Sequence, residues 1–560
     1  MNRRTFLALT GVGAGLPLAD VRRLLAQAAS ETPGPLVTTG AGRVRGVADG
    51  AVRIFRGIPY GAPTSGDNRF RPPQKPTPWT GVFDATAYGP RAYQPSRPMI
   101  PEIGDALTGS GPMSEDCLRL NVFTPGTSGR RPVMVWFHGG GQRTGSGNSI
   151  FYDGRELARQ HDVVVVTTTH RLNAFAYLWL AGLPGAGGRF AECSNLGLRD
   201  LVLALEWVRD NIARFGGDTG NVTIFGQSGG GGKTAMLTGF TAARGLFHRA
   251  IIMSTLTETA VTGLRPERAV EAAELLLRRL DIAPAQASRL IDLAPERLVE
   301  ALTAPAPDLS LRFVPVVDGT TLAADPFSPA SPLSAGVPIL TGSNECEGIP
   351  YGNPDDPYWT SEPADDGALK TRVTQLLSLG DGDATRLIAL YRSHRPRQSA
   401  GDLAAVMAGD TSELRHAGAT IAAAKHAQGR APVYLYRFNW RSPVRGGKLR
   451  SMHGMELPFV FDHPDRIASM TGTGDDRQSL ARNMSAAWAA FAKTGNPNHP
   501  GLPKWDPWTP SRWTTMVFDA TSTAVDDPWS EERKTVAAAL ERRQALTPPG
   551  IDRSRRTRRA

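Results

Sequence analysis

The sequence predicts an α/β fold with a mainly parallel sheet, and three observations carry that prediction. Short runs at 132–137, 163–166 and 222–225, apolar but for Thr223, have the length and β-branched or aromatic content of buried strands. Between the second and third, Leu201, Leu205, Val208 and Ile212 recur at helical spacing and give one apolar face. The first and third runs each end in a glycine-rich turn, so the order strand, helix, strand, turn, helix is the grammar of βαβ units.

Taken in order, the chain begins with Arg3-Arg4 before a mildly apolar, glycine-rich stretch from Thr5 to Ala19. This is the pattern of a twin-arginine export signal. The stretch is too short to span a membrane, for which about 20 apolar residues are needed. Ala26-Gln27-Ala28 offers a small-x-small cleavage site, so the expected division is a signal peptide at 1–28, an enzyme-sized domain at 29–545 and a basic tail at 546–560. A periplasmic or secreted protein without stable membrane insertion after signal removal follows from that reading. The net charge of +10 is concentrated at the two ends, where 1–28 contribute +3 and 551–560 contribute +4, leaving +3 for the body. That distribution argues against a nucleic-acid partner. Residues 36–61 alternate short strands with glycine turns, as in a β-meander, and 62–111 form a loop-rich stretch dense in Pro, Gly and Arg. Further helices are expected at 266–280 and 480–493, with a strand at 433–438.

The run Gly226-Gln227-Ser228-Gly229-Gly230 follows a strand directly. G-x-S-x-G in that setting holds a serine on a sharp strand-to-helix turn with its hydroxyl outward, so Ser228 is a candidate nucleophile. Gly232-Lys233-Thr234 also resembles the end of a phosphate-binding loop, but that pattern requires glycine where Gln227 stands. Upstream, His138-Gly139-Gly140-Gly141 closes an apolar strand, and glycines there can aim backbone N–H groups at one oxygen. An ordinary glycine loop would read the same if it stood alone. Three cysteines, Cys117, Cys193 and Cys346, allow at most one disulfide, and neither H-E-x-x-H nor paired C-x-x-C is present. No metal or other cofactor is expected.

Together these blocks make the chain resemble the type-B carboxylesterase family, the esterase and lipase group that includes the cholinesterases. The likeness is carried by SEDCLRLNV at 114–122, HGGG at 138–141, SNLGLRD at 194–200, NVTIFGQSGG at 221–230, GSNECEG at 342–348 and MHGMELPFVF at 452–461. It implies an α/β-hydrolase fold with a large mixed sheet, helices on both faces and insertions forming an active-site gorge. It also implies a serine hydrolase cleaving carboxylic esters through an acyl-enzyme, with a small-molecule ester as substrate. The family's nucleophile falls on Ser228, its acid on Glu347 and its base on His453. The oxyanion amides fall on Gly140, Gly141 and Gly229, and a supporting serine on Ser254.

Departures from the family pattern refine the expectation. Gln227 replaces a usual glutamate beside the nucleophile, and no Trp lies between Trp79 and Trp136, so cationic choline esters are poor candidates. Cys117 lacks an upstream partner, leaving the preceding loop without its disulfide. Arg143, with His170 or Arg171, is a candidate contact for a carboxylate-bearing or bulky substrate. The competing readings are a catalytically silent cholinesterase-like binding or adhesion protein, and the same triad acting on amide or polyester bonds.

Overall fold

In a computed structural model, the structure describes residues 31–545 except 97, 110, 186–187, 304–312 and 378. The expected signal peptide and basic tail lie outside the described residues. The N-terminal meander is β1 (Thr32–Thr38), β2 (Arg43–Asp49) and β3 (Val52–Pro59), with β4 (Val82–Asp84) beside β2. Then follow β5 (Arg119–Thr124), β6 (Arg131–Phe137), β7 (Val164–Thr169), β8 (Gly217–Gln227) and β9 (Arg249–Met253). β10 (Ile339–Asn344), β11 (Val433–Phe438), β12 (Thr515–Phe518) and β13 (Thr523–Val525) complete the set. All join one sheet in the order β1-β2-β3-β5-β7-β6-β8-β9-β10-β11-β12-β13. From β7 to β12 every neighbouring pair is parallel, and both flanks are antiparallel apart from the short β2–β4 pair. The mixed, mainly parallel sheet is the expected one.

Strand alternation sorts the core into two layers. Along β6, Val133, Val135 and Phe137 enter one apolar cluster while Met134 and Trp136 enter the other, because successive side chains leave a strand on opposite faces. The helix Leu196–Asn211 covers the first face through Leu198, Leu201, Leu205 and Val208. The helix Asp475–Thr494 covers the second through Leu480, Met484, Trp488 and Phe491. Each such fully buried side chain contributes about 1.5–3 kcal/mol relative to exposure. Helices at Asp366–Leu377, Asp381–His394, Ala400–Asp410 and Glu413–Ala427, which the sequence pattern did not reveal, form the region beyond β10.

The loop-rich stretch before β5 is held by polar contacts. Arg69 Nε donates to Glu115 Oε1 at 2.8 Å, Thr64 Oγ1 donates to the Glu115 carbonyl at 2.7 Å, and Cys117 is a buried free thiol. Cys193 and Cys346 are also buried and unpaired. Among the described residues no helix is long and apolar enough to cross a membrane.

Candidate active site

The parallel strands bring their carboxyl ends together, and every candidate residue of the triad and oxyanion loop follows one of them. Ser228 directly follows β8, with φ 59° and ψ −126°, at the start of the helix Gly229–Thr238. Its N–H donates to the Met253 carbonyl at 2.9 Å, tying the turn to the end of β9. The glycines on either side answer to close packing. A Cβ on Gly226 would lie 2.4 Å from Gly230 C, and one on Gly230 only 1.9 Å from the Phe137 carbonyl oxygen. Strand end and helix start thus meet at backbone contact, which projects the half-buried Ser228 outward.

Because β6 pairs with β8 in parallel, with Phe137 opposite Gly226, the His138–Gly141 loop emerges beside the elbow. Gly140 has φ 94° and Gly141 φ 62°, values open to glycine at low cost. A methyl on Gly229 would lie 2.6 Å from Gly141 N, so the amides of this loop and of the helix start converge. Among the described residues, the N–H groups of Gly140, Gly141 and Gly229 have no acceptor. Convergent free amides at a helix N-terminus can stabilise developing negative charge.

Glu347 and His453 come from loops after β10 and β11. A bridge between Cys346 and Met452 sets these two residues, 106 apart in sequence, next to each other. Glu347 Oε2 lies 2.6 Å from His453 Nδ1, and Asn344 N–H donates to Glu347 Oε1 at 2.7 Å. Burial would raise the Glu347 carboxyl, but His453 and the hydrogen bonds from His453, Ser254 and Asn344 outweigh it and hold the carboxyl below its usual value. Burial likewise opposes a charged His453, yet Tyr351, Glu347 and Glu456 raise it above an ordinary histidine.

Sequence reading missed several members. Tyr351 stacks on the His453 ring at 5.5 Å. Glu456, fully buried, is reached by Ser254 Oγ at 3.4 Å and by Asn344 Nδ2. Burial and the charge of Glu347 raise its carboxyl to about 7. Glu456 stands in the H-G-M-E block already quoted, whereas nothing local marks Tyr351. Gln227, already marked in the sequence, reaches His453, with Nε2 3.3 Å from His453 Nε2.

Ser228, His453 and Gly140 open onto one narrow cavity, walled by Ile103, Leu107, Phe151, Tyr351, Leu457 and Met470. Its free volume is about 20 Å³, room for about one ordered water. Neither Arg143 nor His170 is among the residues lining it. Arg143 is half-buried, and its N–H donates to the Gly140 carbonyl at 3.1 Å. His170 is fully buried and stacks on His138 at 4.6 Å, because β6 and β7 are parallel neighbours and the two histidines leave adjacent strand ends. Arg171 is likewise buried, paired with Asp200 at 2.6 Å.

The sequence model of the carboxylesterase family matches residues 33–537. Para-nitrobenzyl esterase of Bacillus subtilis (strain 168) is 36% identical over 508 residues, covering 89% of this chain and 98% of that protein. Phenmedipham hydrolase of Pseudarthrobacter oxydans is 34% identical over 493 residues, 84% of this chain and 92% of that protein. Among solved structures, a Geobacillus stearothermophilus carboxylesterase is similar at TM-score 0.73 and 35% identity, over 89% of this chain and 99% of that one. An esterase from Clostridium hathewayi, described as hydrolysing aliphatic aromatic polyesters, is similar at TM-score 0.77 and 30% identity, over 91% of this chain and all of that one.

Proposed function

The chain belongs to the carboxylesterase family and is a carboxylic ester hydrolase, and from that premise we propose that Ser228, His453 and Glu347 form its triad, with Gly140, Gly141 and Gly229 as oxyanion donors. The observation that carries this reading is the strained Ser228 elbow opening onto the same cavity as a histidine held 2.6 Å from a buried carboxylate. His453 Nε2 takes the proton of Ser228 Oγ as that oxygen attacks the ester carbonyl. Glu347 holds the proton on Nδ1 and stabilises the imidazolium that forms. Charge on the former carbonyl oxygen meets the three amides, each worth about 3 kcal/mol when aimed at it. His453 then gives its proton to the departing alcohol. Water repeats the sequence on the acyl-enzyme, releasing the acid and restoring Ser228.

The apolar wall favours a neutral, apolar acyl or aryl group over a carboxylate-bearing one, since among the described residues no Lys or Arg lines the cavity. Initial rates on p-nitrophenyl acetate and butyrate, beside Ser228→Ala, test the assignment. The substitution should cut kcat at least about 10⁴-fold. A parental rate in Ser228→Ala would overturn the triad.

A further inference from the structure

The glycine-rich run that carries the nucleophile continues into Lys233, which the triad leaves unused. Lys233 lies on the second turn of the helix Gly229–Thr238 and is fully buried. Among the described residues no carboxylate pairs with it, and its Nζ donates to the His138 carbonyl at 3.0 Å. An amine so placed costs more than an apolar side chain of similar length would. Burial lowers it to about 7, and an N–H is available to the carbonyl in either protonation state.

His138 contributes the last carbonyl before the oxyanion glycines. At the far end of that loop, Gln94 accepts from Gly145 N at 2.7 Å and donates to Gly145 O at 3.0 Å. Between the two anchors, Gly140, Gly141 and Gln142 all have positive φ, a sequence of conformations that persists only when its surroundings hold it. The lining around Lys233 is polar. His138 and His170 stack there, and burial first, then Lys233, drives both well below an ordinary histidine, so they are neutral. Among the described residues, His138 Nε2, both His170 nitrogens and both amide atoms of the fully buried Gln142 have no partner.

We propose that Lys233 is a positioning residue of the oxyanion loop: its amino group, close to His138 and His170, fixes the His138 carbonyl and thereby the aim of the Gly140 and Gly141 amides. The inference rests on the oxyanion role proposed above. It also gives His170 a place, in the support of the loop and not in contact with substrate.

The test compares Lys233→Met and Lys233→Gln with the parent, per active site counted by stoichiometric titration with a serine-directed organophosphate. Lys233→Met should lower kcat about tenfold or more, with KM within about twofold. Its affinity for a trifluoromethyl ketone, which mimics the tetrahedral intermediate, should fall in proportion, while affinity for the product alcohol stays the same. The Tm should be unchanged or higher, since an unpaired buried amine has gone. Lys233→Gln keeps a donor one bond shorter, and its kcat should fall about three- to tenfold at unchanged KM. Parental kcat and ketone affinity in the Met variant, or joint loss of kcat, KM and Tm, would overturn the proposal. Should the Met variant not fold, the Gln variant decides by the same two criteria. A Ser228→Ala variant with the parental rate overturns the triad reading and this inference with it; an inactive Ser228→Ala beside unaltered ketone affinity in the Lys233 variants overturns this inference alone.

Discussion

Replacing Glu347 by Gln tests the acid through the geometry of its two oxygens. One faces His453 Nδ1 at 2.6 Å and the other accepts from Asn344 N–H at 2.7 Å. A glutamine amide can satisfy only one of these donors. With its oxygen toward His453, the NH₂ meets the Asn344 N–H, leaving a buried donor unsatisfied at a cost of about 1–3 kcal/mol. With its NH₂ toward His453, the imidazole must carry its proton on Nε2, the nitrogen required as base. The favoured orientation therefore removes the base from most molecules, about a 10- to 100-fold loss. The imidazolium also loses a charge-assisted bond worth about 1.5–3 kcal/mol, another factor of about 10 to 100. The expected fall in kcat is thus about 10²- to 10⁴-fold. The pH profile gives an independent reading, since activity needs neutral His453 and rises with pH through its titration. Burial opposes the imidazolium and Glu347 is among the groups that raise it, so removing that charge lowers the pKa and moves the acid limb to lower pH. Initial rates on p-nitrophenyl acetate across pH measure both. A loss below about tenfold with an unmoved limb would refute the reasoning.

Two further substitutions probe the frame. Gly230→Ala would set a methyl 1.9 Å from the Phe137 carbonyl oxygen, a backbone atom that cannot swing aside, so kcat/KM should fall at least about 100-fold with a lower Tm; parental kinetics would show that the elbow tolerates more space than its packing implies. Asp200→Ala leaves the Arg171 guanidinium buried without its carboxylate, which it meets at 2.6 Å through Nη2 and 2.9 Å through Nε. The expected cost is about 3–5 kcal/mol, read as a lower urea midpoint, and an unmoved midpoint would contradict it.

The sequence by itself determined whatever is settled within a few residues. β6, β7 and β8 were legible because an all-apolar run of strand length has few other uses, and the Ser228 elbow because its glycines act on a turn only five residues long. The meander, the strand at Val433–Phe438 and the helix at Asp475–Thr494 were visible for the same reason of local period. The helices between Asp366 and Ala427 were not, because much of their buried face is alanine, as at Ala384, Ala404, Ala405, Ala417 and Ala422, and alanine marks an apolar stripe weakly. His453 and Glu347 could be named only through a family resemblance. Their meeting depends on β10 and β11 being parallel neighbours and on the bridge between Cys346 and Met452. Tertiary structure alone put Tyr351 on the imidazole, Glu456 against Ser254 and Asn344, and His170 against His138 near Lys233, instead of in the cavity onto which Ser228 opens. A histidine or lysine looks the same in sequence whether water or a carbonyl faces it, and which one does is set by strand order, a property of the whole sheet that no local pattern encodes.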